Sequence, residues 1–105
     1  PLGEVGDVFS AQGDRARALR SFQDSLAIRE KLAAADPQNS SWQRELWVFY
    51  WRMARMAEQR GDPSAHSWWL KTFQKLNSMK QSGLFISPQD EQYWAALRKK
   101  AGKQE

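Results

Sequence analysis

Apolar and small residues recur every three or four positions along most of this chain, which is the spacing of one buried face of an α-helix. Five helices are predicted. The first runs to about Gln12 with Leu2, Val5, Val8 and Phe9 on its stripe, and it stops at Gly13. Asp14 is placed to cap the second, whose inward positions are Ala18, Phe22, Ser25, Leu26, Ile28, Leu32 and Ala33 until Asp36-Pro37 closes it. Asn39, Ser40 or Ser41 caps the third, with Glu45 available for a capping box; Trp42, Leu46, Phe49, Tyr50, Met53 and Ala57 form its stripe before Gly61. Asp62-Pro63 opens the fourth with proline in the first turn, and His66, Trp69 or Leu70, Phe73 and Leu76 point inward until Ser82-Gly83. Leu84-Phe85-Ile86 is a short apolar link expected to pack under its neighbours, because three apolar side chains in a loop are costly to expose. Ser87 caps the fifth, which carries Pro88, Tyr93, Trp94 and Leu97 to about Gly102, leaving Lys103 to Glu105 to fray.

The pattern repeats. Asp36-Pro37 with Trp42 and Leu46 recurs as Ser87-Pro88 with Tyr93 and Leu97, an offset of 51 residues, and Gly13-Asp14 recurs as Gly61-Asp62, an offset of 48. Periods of this size signal stacked repeats. The fold class is therefore all-α: antiparallel helix hairpins stacked as a short α-solenoid. Its parts are repeat one over about 2–37, repeat two over about 39–86 and a capping helix over about 88–102. The polar outer face of the last helix, with Gln92, Arg98, Lys99 and Lys100, suits the end of such a stack.

At 105 residues the chain is long enough for one core. Without cysteine it has no disulfide framework, thiolate nucleophile or cysteine zinc site, and no apolar run approaches the length of a membrane span. A cytoplasmic protein that does not enter membranes is expected. The net charge of +4 is uneven: residues 1–41 hold five basic and six acidic side chains, residues 42–105 eleven and six. A basic second half raises nucleic acid as a partner, but the charges do not cluster on one predicted face, which argues against it.

Helix, Gly-Asp turn, helix and Asp-Pro in succession resemble the tetratricopeptide repeat. Leu2, Val5-Gly6 and Phe9 match the family's first-helix positions, Ala18 and Phe22 its second-helix positions, and Pro37 its close. In the second repeat Tyr50, Met53-Ala54 and Ala57 stand for the first helix, Leu70 for the second aromatic, and His66 for a small residue. The spacing exceeds the family's usual period of about 34 residues, and the run from Ala18 to Leu32 is similar to the extended variant of bacterial multidomain proteins and, more distantly, of kinesin light chain. The resemblance implies a protein-binding or assembly module within a longer chain, a reading that the short first helix and a Pro1-Leu2-Gly3 of cloning origin both fit. It marks Gly6, Phe9, Ala18, Phe22, Pro37, Tyr50 and Pro88 as structural.

Catalysis has few candidates. There is a single histidine, no glycine-rich phosphate loop and no metal-ligand spacing, so neither an enzyme nor a cofactor or metal is expected. His66 is read as structural and the serines as caps. In the resembled family the groove is lined by the first helix of each hairpin. That implies Val48, Trp51, Arg52, Arg55, Glu58 and Gln59 here, with Asp7, Ser10 and Ala11 from the first helix. Trp51 with Arg55 one turn away is the aromatic and cationic pairing typical of interface hot spots, unless Trp51 packs against the fifth helix instead. Lys99 is expected to extend a basic strip with Arg52 and Arg55, suiting an acidic peptide or a C-terminal carboxylate. Trp68 is the other binding candidate, covered either by the Leu84 to Ile86 link or by another chain. Self-association through an apolar edge of the first hairpin is the alternative function.

Overall fold

A computed structural model of the chain describes residues 15–102. They form four helices and no strand: α1 (Arg15–Ala35), α2 (Ser40–Gln59), α3 (Ala65–Gln81) and α4 (Pro88–Gly102). These are the second to fifth predicted segments. The first predicted helix, with Leu2, Val5, Gly6, Asp7, Val8, Phe9, Ser10 and Ala11, lies outside the described residues, as do the Asp14 cap and the terminal Lys103 to Glu105.

Local chemistry sets the helix ends. Asn39 Oδ1 accepts the Trp42 N–H at 3.0 Å, so Asn39 is the cap of α2 and Glu45 is six residues in, beyond reach of a capping box. Ser87 Oγ accepts the Asp90 N–H at 3.1 Å at the start of α4, where Pro88 is the first helical residue and Asp90 and Glu91 complement the positive helix end. α2 and α3 stop by the same device. Gly61 and Gly83 take φ of 66° and 76°. Asp62 N–H then reaches the Ala57 carbonyl at 2.8 Å and Leu84 N–H the Met79 carbonyl at 3.1 Å, which is the Schellman geometry. α1 has no glycine at its end. Its carbonyls are served from the next helix instead, by Gln43 Nε2 donating to Ala33 O at 2.9 Å and Asp36 O at 3.1 Å.

Pro63 does not sit in the first turn of a helix as expected. Asp62 Oδ1 accepts the Ser64 N–H at 2.9 Å and makes a separate turn, delaying α3 to Ala65.

Short connections turn each helix back along the one before. Tyr50 meets Glu30 across α1 and α2, Trp69 meets Glu58 across α2 and α3, and Trp94 meets Asn77 across α3 and α4. Two apolar clusters result. Leu26, Ala33, Leu46, Phe49 and Met53 join α1 to α2, while Trp47, Ala54, Trp69, Leu76, Met79 and Leu97 join α2, α3 and α4. Thr72 is fully buried in α3 and turns its hydroxyl back to the Trp68 carbonyl at 2.7 Å, satisfying a group that would otherwise be stranded.

Several expected inward positions point elsewhere. Ile28 is 60% exposed and Leu32 also faces out, because α1 packs on α2 through Leu26 and Ala33. In α3 Trp69 is buried and Leu70 exposed, with Thr72 and Met79 joining the inward set. Leu84 and Ile86 do pack on the core, whereas Phe85 between them is 74% exposed, since an extended link alternates its side chains.

α2 and α4 are neighbours of a different kind. Their backbones make no close contact, yet Arg44 reaches Asp90, Trp51 reaches Tyr93 and Glu58 reaches Lys100, so the two helices run parallel with their side chains spanning the gap. The capping residues Asn39 and Ser87 are 48 positions apart, equal to the offset of the Gly-Asp turns. The 51-residue proline echo is three residues out of register with them, close to one helical turn, which keeps the matched apolar residues on nearly the same face.

Candidate functional site

The seam between α2 and α4 is built from the helix flanks next to the core. With Leu46, Phe49, Met53 and Ala57 buried, Val48, Trp51, Arg52 and Arg55 emerge on the flank of α2 toward α4. With Leu97 and Ala101 buried, Tyr93, Ala96 and Lys100 emerge on the facing flank of α4. Trp51 is half-buried here. It stands edge-on to Tyr93 at 4.8 Å between ring centres, and contacts Trp47 at 6.0 Å and Trp69 at 6.2 Å. Trp51 therefore packs against α4 and also lines an open cleft.

Two clefts meet at Trp51 and Arg55. One, of about 270 Å³, is lined by Arg44, Trp47, Val48, Trp51, Arg52, Arg55 and Tyr93. The other, about 290 Å³, continues toward the helix C-termini between Glu58, Trp69, Ala96, Leu97 and Lys100. A third lies on the α1 side of α2, where Phe22, Phe49, Met53 and Met56 form an apolar trough shared with Arg52, Arg55 and Gln59. Arg55 borders all three.

The charges are sorted along the seam. Asp90, buried at the start of α4, takes Arg44 Nε at 2.7 Å and the other guanidinium nitrogen at 3.2 Å. At the opposite end Glu58 accepts Lys100 Nζ at 2.9 Å and Trp69 Nε1 at 3.2 Å. The Lys100 hydrogen bond, with smaller help from Trp69 and Arg55, holds the Glu58 carboxyl below its ordinary range. Arg52 and Arg55 are exposed between these pairs, and neither makes an ion pair among the described residues.

Trp51, Arg52, Arg55 and Glu58 are thus brought to the seam, while Gln59 borders only the trough on the α1 side, which it shares with Arg52 and Arg55. Lys99 is not at the seam. It lies on the outer side of α4 with Trp94, Ala95, Arg98 and Gly102, and Lys100 takes the place expected for it. Trp68 is also elsewhere, half-buried beside Tyr50 at 6.1 Å with Lys71 Nζ 5.3 Å from its ring. Its neighbour is therefore α2 as well as the core beneath the Leu84 to Ile86 link. Tyr50 itself donates to Glu30 at 2.9 Å, and burial together with that carboxylate pushes its phenol well above the usual range. His66 is half-buried in the first turn of α3. Arg44, Tyr93, Ala96 and Lys100 were missed as site residues. A helical wheel of α4 anchored on Leu97 and Ala101 would have put Tyr93 and Lys100 on a common flank.

Among the described residues no cluster of acidic or histidine side chains is placed to hold a metal ion, and no helix is long and apolar enough to cross a membrane. No family model, curated protein or solved structure matches this chain.

Proposed function

We propose that this chain is a protein-interaction module of the tetratricopeptide type, a short stack of helix hairpins that receives a protein or peptide segment along α2 and α4. The carrying observation is the aromatic floor of Trp51 and Tyr93 beside two exposed arginines, Arg52 and Arg55, that make no ion pair among the described residues. A rigid ring set next to forked donors is the composition of interface hot spots. The stacked reading draws support from the matching glycine stops of α2 and α3, the 48-residue spacing of the caps of α2 and α4, and the parallel course of those helices. In a stack of hairpins, parallel neighbours are the first helices of successive repeats.

The role is binding and not catalysis. Ser87 is engaged as a cap, Thr72 is sealed in the core, and the carboxylates of the seam are committed to Arg44 and Lys100. The test is recovery of binding partners with wild type, Trp51→Ala and an Arg52→Ala, Arg55→Ala double variant, each checked for helicity by circular dichroism. Loss of a partner in both variants at unchanged helicity is expected, with Trp51→Ala weakening it by about 2 kcal/mol. A partner retained by both moves the site away from the seam.

A further inference from the structure

Along the seam the cationic groups occupy three stations. Arg44 is neutralised by buried Asp90 at one end and Lys100 by Glu58 at the other, while Arg52 and Arg55 in the middle make no ion pair among the described residues, Arg55 acting on Glu58 only at longer range. They are one helical turn apart, so their charges repel and an anion between them relieves that repulsion. Building on the groove reading above, we infer that this middle station takes the side-chain carboxylates of an internal acidic segment of a partner protein, with an adjacent apolar residue seated on Trp51 and Tyr93.

The surroundings select this occupant. A cationic ligand would find attractive ring faces but would have to sit beside Arg44, Arg52 and Arg55, which line the same cleft. A nucleic-acid strand running along the seam would find the cations at its two ends already neutralised by Asp90 and Glu58. A short acidic segment meets neither obstacle. Its carboxylates fit the fork geometry of the guanidiniums, and the ring edges accept an aliphatic or aromatic side chain. Glu58 already shows the chemistry on the same surface, as a carboxylate holding Lys100 and the Trp69 N–H.

The experiment is selection from a phage-displayed library of random peptides, fused so that no free C-terminus is offered, on the full chain. The best peptide is then synthesised with both termini blocked and titrated against wild type, Arg52→Gln with Arg55→Gln, and Trp51→Ala. Expected are sequences carrying at least two Asp or Glu residues beside an apolar one. Their affinity should fall roughly tenfold or more in the double arginine variant, as for loss of a desolvated charge pair, and weaken with added salt. Replacing the peptide's Glu by Gln should cause a similar loss. Uncharged peptides that bind wild type and the arginine variant equally but lose Trp51→Ala overturn this inference and leave the groove reading standing. Peptides indifferent to every substitution, or no enrichment, overturn both. Displacement of the selected peptide by an equal concentration of oligothymidylate overturns the acidic-segment assignment in favour of a polyanion.

Discussion

The hairpin of α2 with α3 and the seam of α2 with α4 use the same helix in two ways. In the hairpin, Ala54 and Ala57 let the backbones approach, and Trp69, Leu76 and Met79 fill the remaining space, so the contact is close and dry. In the seam the backbones stay apart, and Trp51, Tyr93 and two ion pairs cross the gap. Close packing between small residues leaves no room for anything else. A gap bridged by rings and charges keeps surface that a partner can use, at lower cost to stability when its residues change. Trp47 belongs to both regions, fully buried beneath the seam and part of the hairpin's core.

The contrast can be broken at Trp47 first. Trp47→Ala should cost about 3–5 kcal/mol, the largest effect in the molecule, because it removes the indole shared by α2, α3 and α4. Its Nε1 is buried without an acceptor among the described residues, so Trp47→Phe, which also deletes that donor, should cost clearly less. Denaturant titration compares the two; equal losses would show that the ring volume is unimportant there.

Ala54→Leu comes next, at about 1–3 kcal/mol, since a fully buried small residue has no space for three more carbons. If its thermal midpoint matched that of an exposed control such as Gln74→Leu, the close approach of the hairpin would be refuted. Gly61→Ala should cost about 1 kcal/mol, because the φ of 66° there strains any side chain even though the space beside it is open.

Tyr50→Phe should cost about 0.5–1.5 kcal/mol at neutral pH for the lost bond to Glu30. Its pH dependence is more telling. The phenol is raised above its ordinary 10.0 in the folded state, so the fold retains a proton that the unfolded chain releases. That stabilisation is complete below about pH 10 and declines as pH rises further, and Tyr50→Phe should lack this part of the alkaline loss. Glu58→Gln is the smallest change. With its carboxyl lowered below 4.5 in the fold, the contribution is present above that pH and lost on acidification, so the variant should show a shallower acid limb and a midpoint near wild type at pH 7. A large destabilisation at neutral pH would place the seam's ion pairs among the fold's main supports.

Much of the architecture was legible from local chemistry. Asn39 and Ser87 are side chains that serve N–H groups three residues on, and glycine is the residue that enters the left-handed region cheaply, so caps and stops are written into short stretches. Leu46, Phe49, Met53 and Ala57 likewise announced the buried face of α2. The face itself placed Trp51, Arg52, Arg55 and Glu58 together, because residues three and four apart on one helix cannot separate. Gln43 was not legible. Its role as the cap of α1 depends on a turn that brings Ala33 and Asp36 within reach of another helix.

Tertiary structure decided what lies across from each face. The sequence reading chose Lys99 for the basic strip; the wheel of α4 puts Lys100 on the flank of Tyr93, but only the parallel course of α4 beside α2 brings that flank to Glu58 and leaves Lys99 outward. Periodicity likewise marked Ile28 as inward, when α1 packs on α2 through Leu26 and Ala33 and leaves Ile28 exposed. For Trp68 the sequence offers the Leu84 to Ile86 link or another chain as cover, because nothing local foretells that Tyr50 of a preceding helix will lie against it. Helix ends are fixed by bonds between residues a few positions apart and are therefore encoded in sequence. The partner of a helix flank is fixed by how whole helices cross, a balance of many weak contacts that no short stretch of sequence contains.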